Sequence, residues 1–330
     1  MMKHIAFIHL GGTISALGKN RLDLKDYQSG KLSGEDFLRD LPELKELAHI
    51  EMYQMERISS TQINENHWIQ LKQTVDSLLN EKKYDGVVIT HGTSTLEETA
   101  YFLHLTVNSN KPVVLVGAQR PFSALSSDAP LQLIQAVRVA IDKKSIDMGV
   151  LIIGNDRIHS ARDVTKTDTY RLDTFKSGDL GCLGYIETDQ TIQYYRKPVR
   201  KHTMDSVFSK MTFHDLPSVE IVYSYAGATG KIIDFITQSG EYQGMVIAGT
   251  GAGRFSKSEE SAILKATQEG LYVVRSSRGG NGRVVGIEAY RNLRTLSGDN
   301  LTPQKARILL MLSILKYTSL EAIQQSFEEY

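Results

Sequence analysis

Cysteine is almost absent. The single thiol, Cys182, has no partner for an internal disulfide and fits a reducing compartment. Net charge is absent as well: 38 Lys and Arg balance 38 Asp and Glu. Without a basic excess the chain lacks the electrostatic footprint of a nucleic-acid binder. No apolar run approaches the roughly 20 residues that cross a bilayer, so no membrane partner is expected either. The opening MMKHIAFIHLGGTIS carries only about half a dozen apolar residues before a glycine turn, unlike a secretory signal. A cytoplasmic location is therefore expected. Also missing are GxxxxGK[ST], a GxGxxG after the first strand, CxxC and HExxH, and the nine histidines show no metal-ligand spacing.

What is present is ordinary globular composition, 41% hydrophobic and 23% charged, over 330 residues. That length accommodates two domains, each with its own core. The chain alternates strand and helix signals from end to end. HIAFIHL (His4 to Leu10) reads as the first strand and breaks at Gly11-Gly12-Thr13. A polar stretch from Ser15 to Gly30, carrying Tyr27, reads as a long binding or lid loop. Ser33 caps a helix that stops near Pro42, and a short strand follows around Ile50 to Met55. Trp68, Leu71, Val75, Leu78 and Leu79 repeat at helical spacing and form a core stripe.

The central stretch is VVITHGTSTLEETA, Val87 to Ala100. An apolar strand breaks at Gly92, delivers Thr93, Ser94 and Thr95, and passes into a helix. Thr95 and Glu98 have the spacing of a capping box. Next come a strand (KPVVLVGAQR), a helix with Asp128 as cap and Pro130 in its first turn, and a strand ending at Asp156. Behind that strand lies the polar loop SARDVTKTDT with Lys166. A basic, irregular stretch, residues 191–213, reads as a linker between an N-terminal domain (1–190) and a smaller C-terminal one (214–330). The second half repeats the alternation and ends in a helix opening at Thr302-Pro303, with Ala306, Leu309, Leu310 and Ile314 on one face. Alternation throughout implies an α/β fold with parallel sheets covered on both faces.

Chemistry then rests on hydroxyls at strand ends, Thr13 and the pair Thr93 and Ser94, with Lys166 in another strand-end loop. Ligands of open α/β sheets bind at the carboxyl ends of strands. A threonine hydroxyl needs a base or polarising neighbour to act as a nucleophile, and backbone N–H groups at glycine turns can hold a developing oxyanion. The plainer reading is that these hydroxyls cap helices and satisfy backbone groups. Position alone does not separate the two. His91 stands as a core histidine or a site residue, and GTGAG (Gly249 to Gly253) as a tight turn or a loose phosphate loop.

The motifs also resemble a known family. GGTIS (Gly11 to Ser15), THGTSTLEETAYFL (Thr90 to Leu103), ARDVTKT (Ala161 to Thr167), RKHT (Arg200 to Thr203) and LTPQKAR (Leu301 to Arg307) are similar, in this order, to bacterial L-asparaginases. The resemblance implies a larger N-terminal flavodoxin-like (Rossmann-like) parallel-sheet domain and a smaller C-terminal α/β domain. It implies tetramers built from intimate dimers, with each site completed by the neighbouring subunit. It also implies hydrolysis of a side-chain amide, of asparagine and sometimes glutamine, to acid and ammonia without metal or cofactor. Carried over, Thr13 would be the nucleophile, Tyr27 would close over it, Thr93 and Lys166 would be the second hydroxyl and its lysine, and Ser60 would hold the substrate α-carboxylate.

Three positions depart from that pattern. Ser94 stands where the family has aspartate, Thr61 where glutamine is common, and Arg254 where many members carry asparagine. In family terms all three surround the substrate's α-ammonium, to which Glu288 would add a carboxylate from the partner subunit. A charge-assisted hydrogen bond contributes roughly 1.5–3 kcal/mol, so a hydroxyl in place of the carboxylate weakens the grip on a free amine. A nearby guanidinium repels that amine and favours an anion. Ser94 also leaves Lys166 without its usual carboxylate, which eases loss of its proton. The expected activity is therefore a threonine-nucleophile amidohydrolase retuned toward an amide without a free α-ammonium. Alternatives are an ordinary asparaginase or glutaminase, an inactive ligand-binding homologue, and an ammonia-releasing subunit of a tRNA-amidating enzyme.

Overall fold

The computed structural model describes residues 2–330. The chain divides into two compact units, the first ending at Met211 and the second running from Thr212 to Tyr330.

The first unit is built on an eight-stranded sheet. In chain order its strands are β1 (His4–His9), β2 (His49–Gln54), β3 (Gly86–Thr90), β4 (Val113–Val116), β5 (Val150–Gly154) and β6 (Arg157–Ser160). A small separate hairpin, β7 (Thr165–Lys166) with β8 (Phe175–Lys176), precedes the last two strands of the large sheet, β9 (Gly184–Ile186) and β10 (Ile192–Tyr194). The spatial order is β10-β9-β6-β5-β4-β3-β1-β2. Strands β2 to β5 with β1 run parallel in the flavodoxin-like order 2-1-3-4-5, while β6, β9 and β10 add on antiparallel. The all-parallel expectation therefore holds for the core of the sheet and fails at one edge. That edge includes residues 192–194, inside the stretch read as linker, and Arg196 beyond it donates to the Cys182 carbonyl.

Helices cover both faces because the central strands are apolar on both sides. One face carries α1 (Gly34–Asp40), α2 (Glu43–Leu47) and α5 (Ala129–Ile141), and its core joins Phe7, Val88, Val114 and Ile153 to Leu133 and Val137. The other carries α3 (Glu65–Asp76), extended by a wider π turn, and α4 (Leu96–Thr106). All five residues of the expected stripe, Trp68 to Leu79, are buried. Ser33 forms a complete capping box with Asp36.

Two other caps differ from expectation. Thr95 is the N-cap of α4, but its hydroxyl donates to the Ser60 carbonyl instead of accepting from the helix. Asp128 precedes α5, yet its carboxylate accepts from the backbone N–H groups of Gln119 and Arg120. In both cases a long-range partner at the strand ends outcompetes the local helical donor.

The second unit has a four-stranded parallel sheet, β11 (Val219–Tyr223), β12 (Gly244–Gly249), β13 (Tyr272–Ser277) and β14 (Leu296–Ser297), in sequential order. Helices α6 (Lys231–Ser239) and α7 (Lys257–Gln268) pack on the face lined by Met245, Ile247 and Val273. Helix α8 (Pro303–Lys316) packs against β11, β12 and β13, and α9 (Leu320–Glu329), which the periodicity did not reveal, packs on α8 and β14. Being covered twice, α8 buries Ile308, Leu309, Leu310, Met311 and Leu312 and has no single apolar face.

Trp68 is the only tryptophan and lies in the first unit, so its fluorescence reports on that unit alone. Leu133→Ala, at a fully buried position, lowers first-unit stability by about 2–5 kcal/mol. Ser33→Ala, which deletes a capping box, costs about 1 kcal/mol. Urea unfolding followed by Trp68 emission checks both.

Candidate active site

The order 2-1-3-4-5 reverses direction between β1 and β3, and the crevice at such a switch point lies outside the carboxyl ends of those two strands. Thr13 follows β1 and Thr93 follows β3, so topology alone places the two threonines at one opening. His9 ties the strand ends together. Its ring bonds Thr90 Oγ1 at 2.6 Å and the Leu32 carbonyl at 3.0 Å. The carbonyl accepts from Nε2–H, so Nδ1 accepts from the Thr90 hydroxyl.

Glycines let the two turns touch. Gly12 adopts φ +90°, open to glycine alone, and a Cβ there would sit 2.6 Å from the Gly92 backbone. A Cβ on Gly92 would meet Ser60 Oγ at 2.7 Å, and one on Gly117 would meet Thr93 Cγ2 at 2.7 Å. Thr13, Ser60 and Thr93 are thus packed around a seam of bare backbone.

Two pairs emerge. The Thr13 hydroxyl bonds the Tyr27 phenol at 3.0 Å. Tyr27 is carried by a loop whose ends, Leu17 and Gln28, close in a mutual backbone bridge, and which is tethered at Gly18 to Ser123 and at Arg21 to Leu125. Opposite, Lys166 Nζ donates to Thr93 Oγ1 at 2.7 Å and to Gln119 Oε1 at 3.2 Å. Burial depresses the Lys166 pKa, against the pull of Asp168 and Glu97. Among the described residues no carboxylate is in ion-pair contact with that ammonium. A hydroxyl bonded to a lysine of lowered pKa is the arrangement nucleophilic or water-activating chemistry requires. Ser60 is buried and its hydroxyl makes no hydrogen bond to any described residue, which leaves it open to a ligand.

The other candidate positions differ. Ser94 is exposed at the mouth of the turn, and Thr61, also exposed, is bonded to Ser59. Arg254 and Glu288 belong to the second unit. There Arg254 lies over the Tyr290 ring and Glu288 is bonded to Arg291. The GTGAG stretch is a tight turn in which Thr250 and Arg254 exchange backbone hydrogen bonds.

His91 proves structural. Trp68 Nε1–H donates to Thr99 Oγ1, the Thr99 hydroxyl donates to His91 Nε2, and His91 Nδ1 donates to the Gly92 carbonyl. Burial holds its pKa at about 4.

Sequence reading missed two groups. Glu97 accepts from the Thr165 hydroxyl and from the Lys166 backbone N–H, so the first turn of α4 positions the lysine loop. Gln119, at the end of β4, carries the same strand-end signal as the threonines. It went unnoticed because an amide is not itself a nucleophile or base. Its Nε2 is buried without a partner among the described residues, a state that costs about 1–3 kcal/mol.

Fold and site together define a two-unit α/β protein with paired hydroxyls at the switch point of its larger sheet. The family described as "Asparaginase, N-terminal" matches residues 4–200, and "Glutaminase/Asparaginase C-terminal domain" matches residues 218–327. "L-asparaginase 2" of Bacillus subtilis (strain 168) is 40% identical over 329 residues, covering 100% of this chain and 87% of that protein. "L-asparaginase 2" of Escherichia coli (strain K12) is 40% identical over 331 residues, covering 100% and 94%. The crystal structure of a probable cytoplasmic L-asparaginase from Campylobacter jejuni superposes with TM-score 0.96 at 37% identity, covering 99% of this chain and 100% of that one. This chain belongs to the asparaginase family and is an amidohydrolase.

Two tests follow from the geometry. Gly12→Ala, by pushing the β1 and β3 turns apart, lowers ammonia release by about 10²-fold, read in a coupled ammonia assay. The second concerns His9 and His91, whose pKa values fall from 6.5 to about 4 on burial. Both are neutral in either state above pH 6.5. Below it the unfolded chain takes up protons that the folded chain refuses until about pH 4. Stability is thus present above 6.5 and lost progressively toward 4, by up to about 3 kcal/mol per histidine. Urea midpoints at pH 7, 5.5 and 4.5 check this, with His91→Gln flattening the slope.

Proposed function

We propose that the chain hydrolyses a primary carboxamide to acid and ammonia with Thr13 as nucleophile. The carrying observation is the two bonded pairs, Thr13 with Tyr27 and Thr93 with Lys166, at one switch point. Thr13 Oγ1 forms the bond to the amide carbon, its proton passing to Tyr27 as the phenol gives its own to the departing nitrogen. The C–N bond breaks and ammonia leaves. Water then attacks the Thr13 ester, losing a proton through Thr93 to neutral Lys166. The C–O bond to Thr13 breaks as its oxygen takes the Tyr27 proton, and the phenol regains a proton from the Lys166 ammonium through solvent. Backbone N–H groups of the glycine turns stabilise the oxyanion at both stages, and Ser60 receives a substrate carboxylate.

We infer a preference for an amide lacking a free α-ammonium, such as succinamate or an N-acyl asparagine, from Ser94, Thr61 and Arg254. A second reading, an ordinary asparaginase or glutaminase, is favoured by relatives named L-asparaginase 2 and glutaminase-asparaginase. We further infer a cytoplasmic protein assembled as a homo-oligomer, a tetramer of paired dimers, in which a partner subunit's glutamate at position 288 completes each site.

Thr13→Ala lowers ammonia release by at least about 10³-fold; unchanged release refutes the nucleophile assignment. Initial rates on asparagine, glutamine, succinamate and an N-acyl asparagine separate the two readings. Asparagine as much the best substrate removes the inferred preference and leaves the ordinary enzyme. Under the preferred reading Ser94→Asp raises asparagine kcat/KM by about one to two decades.

A further inference from the structure

We propose that Gln119 is a positioning residue for Lys166: its carboxamide oxygen holds the ammonium against Thr93, and its NH2 end takes over that contact when the lysine is neutral. The inference rests on the reading of Lys166 as the base and adds the group that tunes it.

The geometry is specific. Gln119 Oε1 lies 3.2 Å from Lys166 Nζ, which also donates to Thr93 Oγ1 at 2.7 Å. The residue is buried, and its Nε2 meets no acceptor. Its backbone is pinned by an N–H donated to Asp128 Oδ2 at 2.9 Å, so what can turn is the terminal amide. An ammonium is donor only and needs the oxygen; a neutral amine has a lone pair and can accept from the NH2. A glutamine therefore serves both protonation states of a lysine through a half-turn about its last bond, which neither a carboxylate nor an apolar side chain can do. In the orientation observed the oxygen faces the ammonium and the spare donor is stranded. Once the lysine gives up its proton, inversion of the amide turns its donor end toward the amine lone pair.

The remaining groups facing the lysine are accounted for. Glu97, from the first turn of α4, is engaged by Thr165 and the Lys166 backbone; Asp168, on the following loop, accepts from the N–H groups of Tyr170 and Arg171. On the side of Gln119, Asp128 is engaged by three donors and Arg120 donates to the Ser126 carbonyl. Gln119 is thus the only side chain besides Thr93 in hydrogen-bond contact with Nζ among the described residues.

The test compares full-length wild type, Gln119→Glu and Gln119→Met on whichever amide of the panel is turned over fastest. If neutral Lys166 is the base, kcat/KM rises with pH through its pKa. Gln119→Glu, by placing an anion beside the ammonium, moves that rising limb up by about 1–2 pH units; Gln119→Met, which removes a charge-assisted contact to the ammonium and only a weaker neutral one to the amine, moves it down by about half a unit. A merely structural residue scales the whole profile without displacing it. Limbs that superimpose on wild type in both variants overturn the inference. The 13Cε resonance of Lys166, titrated by NMR in the three proteins, must move in the same two directions, and it does so whether or not any amide is hydrolysed. Absence of ammonia from every amide thus tells against the proposed reaction, while unshifted Lys166 titrations tell against Gln119.

Discussion

Everything at this site depends on two turns of chain packed against each other without side chains between them. Gly12 approaches Gly92 so closely that one methyl group would separate them. That contact sets the spacing of Thr13 and Thr93, because each threonine is the residue immediately after its glycine. It can exist because β1 and β3 are neighbours in the sheet although most of a hundred residues apart in the chain. The hydrogen bonds of His9 to Thr90 and Leu32 reinforce the same junction from beneath.

Around that junction the polar groups form two systems with different roles. Trp68, Thr99, His91 and Gly92 make a closed relay in which each donor has one acceptor. Burial keeps the imidazole neutral, so the relay is a brace under the β3 turn and carries no proton. Lys166 is the opposite case. It is partly desolvated, its ammonium has no carboxylate in ion-pair contact among the described residues, and it leans on a hydroxyl and a carboxamide. A brace of satisfied groups thus lies beneath the turn, with a partly desolvated lysine above it.

Much of the candidate site's layout was legible in order of sequence. Glycine breaks after apolar strands announced Thr13 and Thr93, and the Tyr27 loop announced itself by polarity and length. The stripe from Trp68 to Leu79 was legible for the same reason: its partners in burial are its own neighbours at helical spacing. Elements whose reason lies elsewhere in the chain were not. The antiparallel edge formed by β6, β9 and β10 is short and built on mixed sequence, and part of it looks like linker until it pairs. Helix α8 reads as one-faced because nothing in its periodicity says that α9 covers its back. Thr95 and Asp128 look like caps and serve instead as anchors for Ser60 and for the Gln119 turn, since a long-range acceptor or donor displaced the local one.

By itself the sequence determined the alternation of strand and helix, and which hydroxyls and which lysine stand at strand ends. These follow from local periodicity and from what glycine permits. Tertiary structure alone decided which of those groups meet: Thr13 with Tyr27, Thr93 with Lys166, and Lys166 with Gln119 and Glu97. Pairings of that kind depend on strand order and on a few tenths of an ångström at glycine contacts. Neither is encoded in the spacing of residues along the chain; both arise only when the sheet closes and burial makes an unpaired polar group costly.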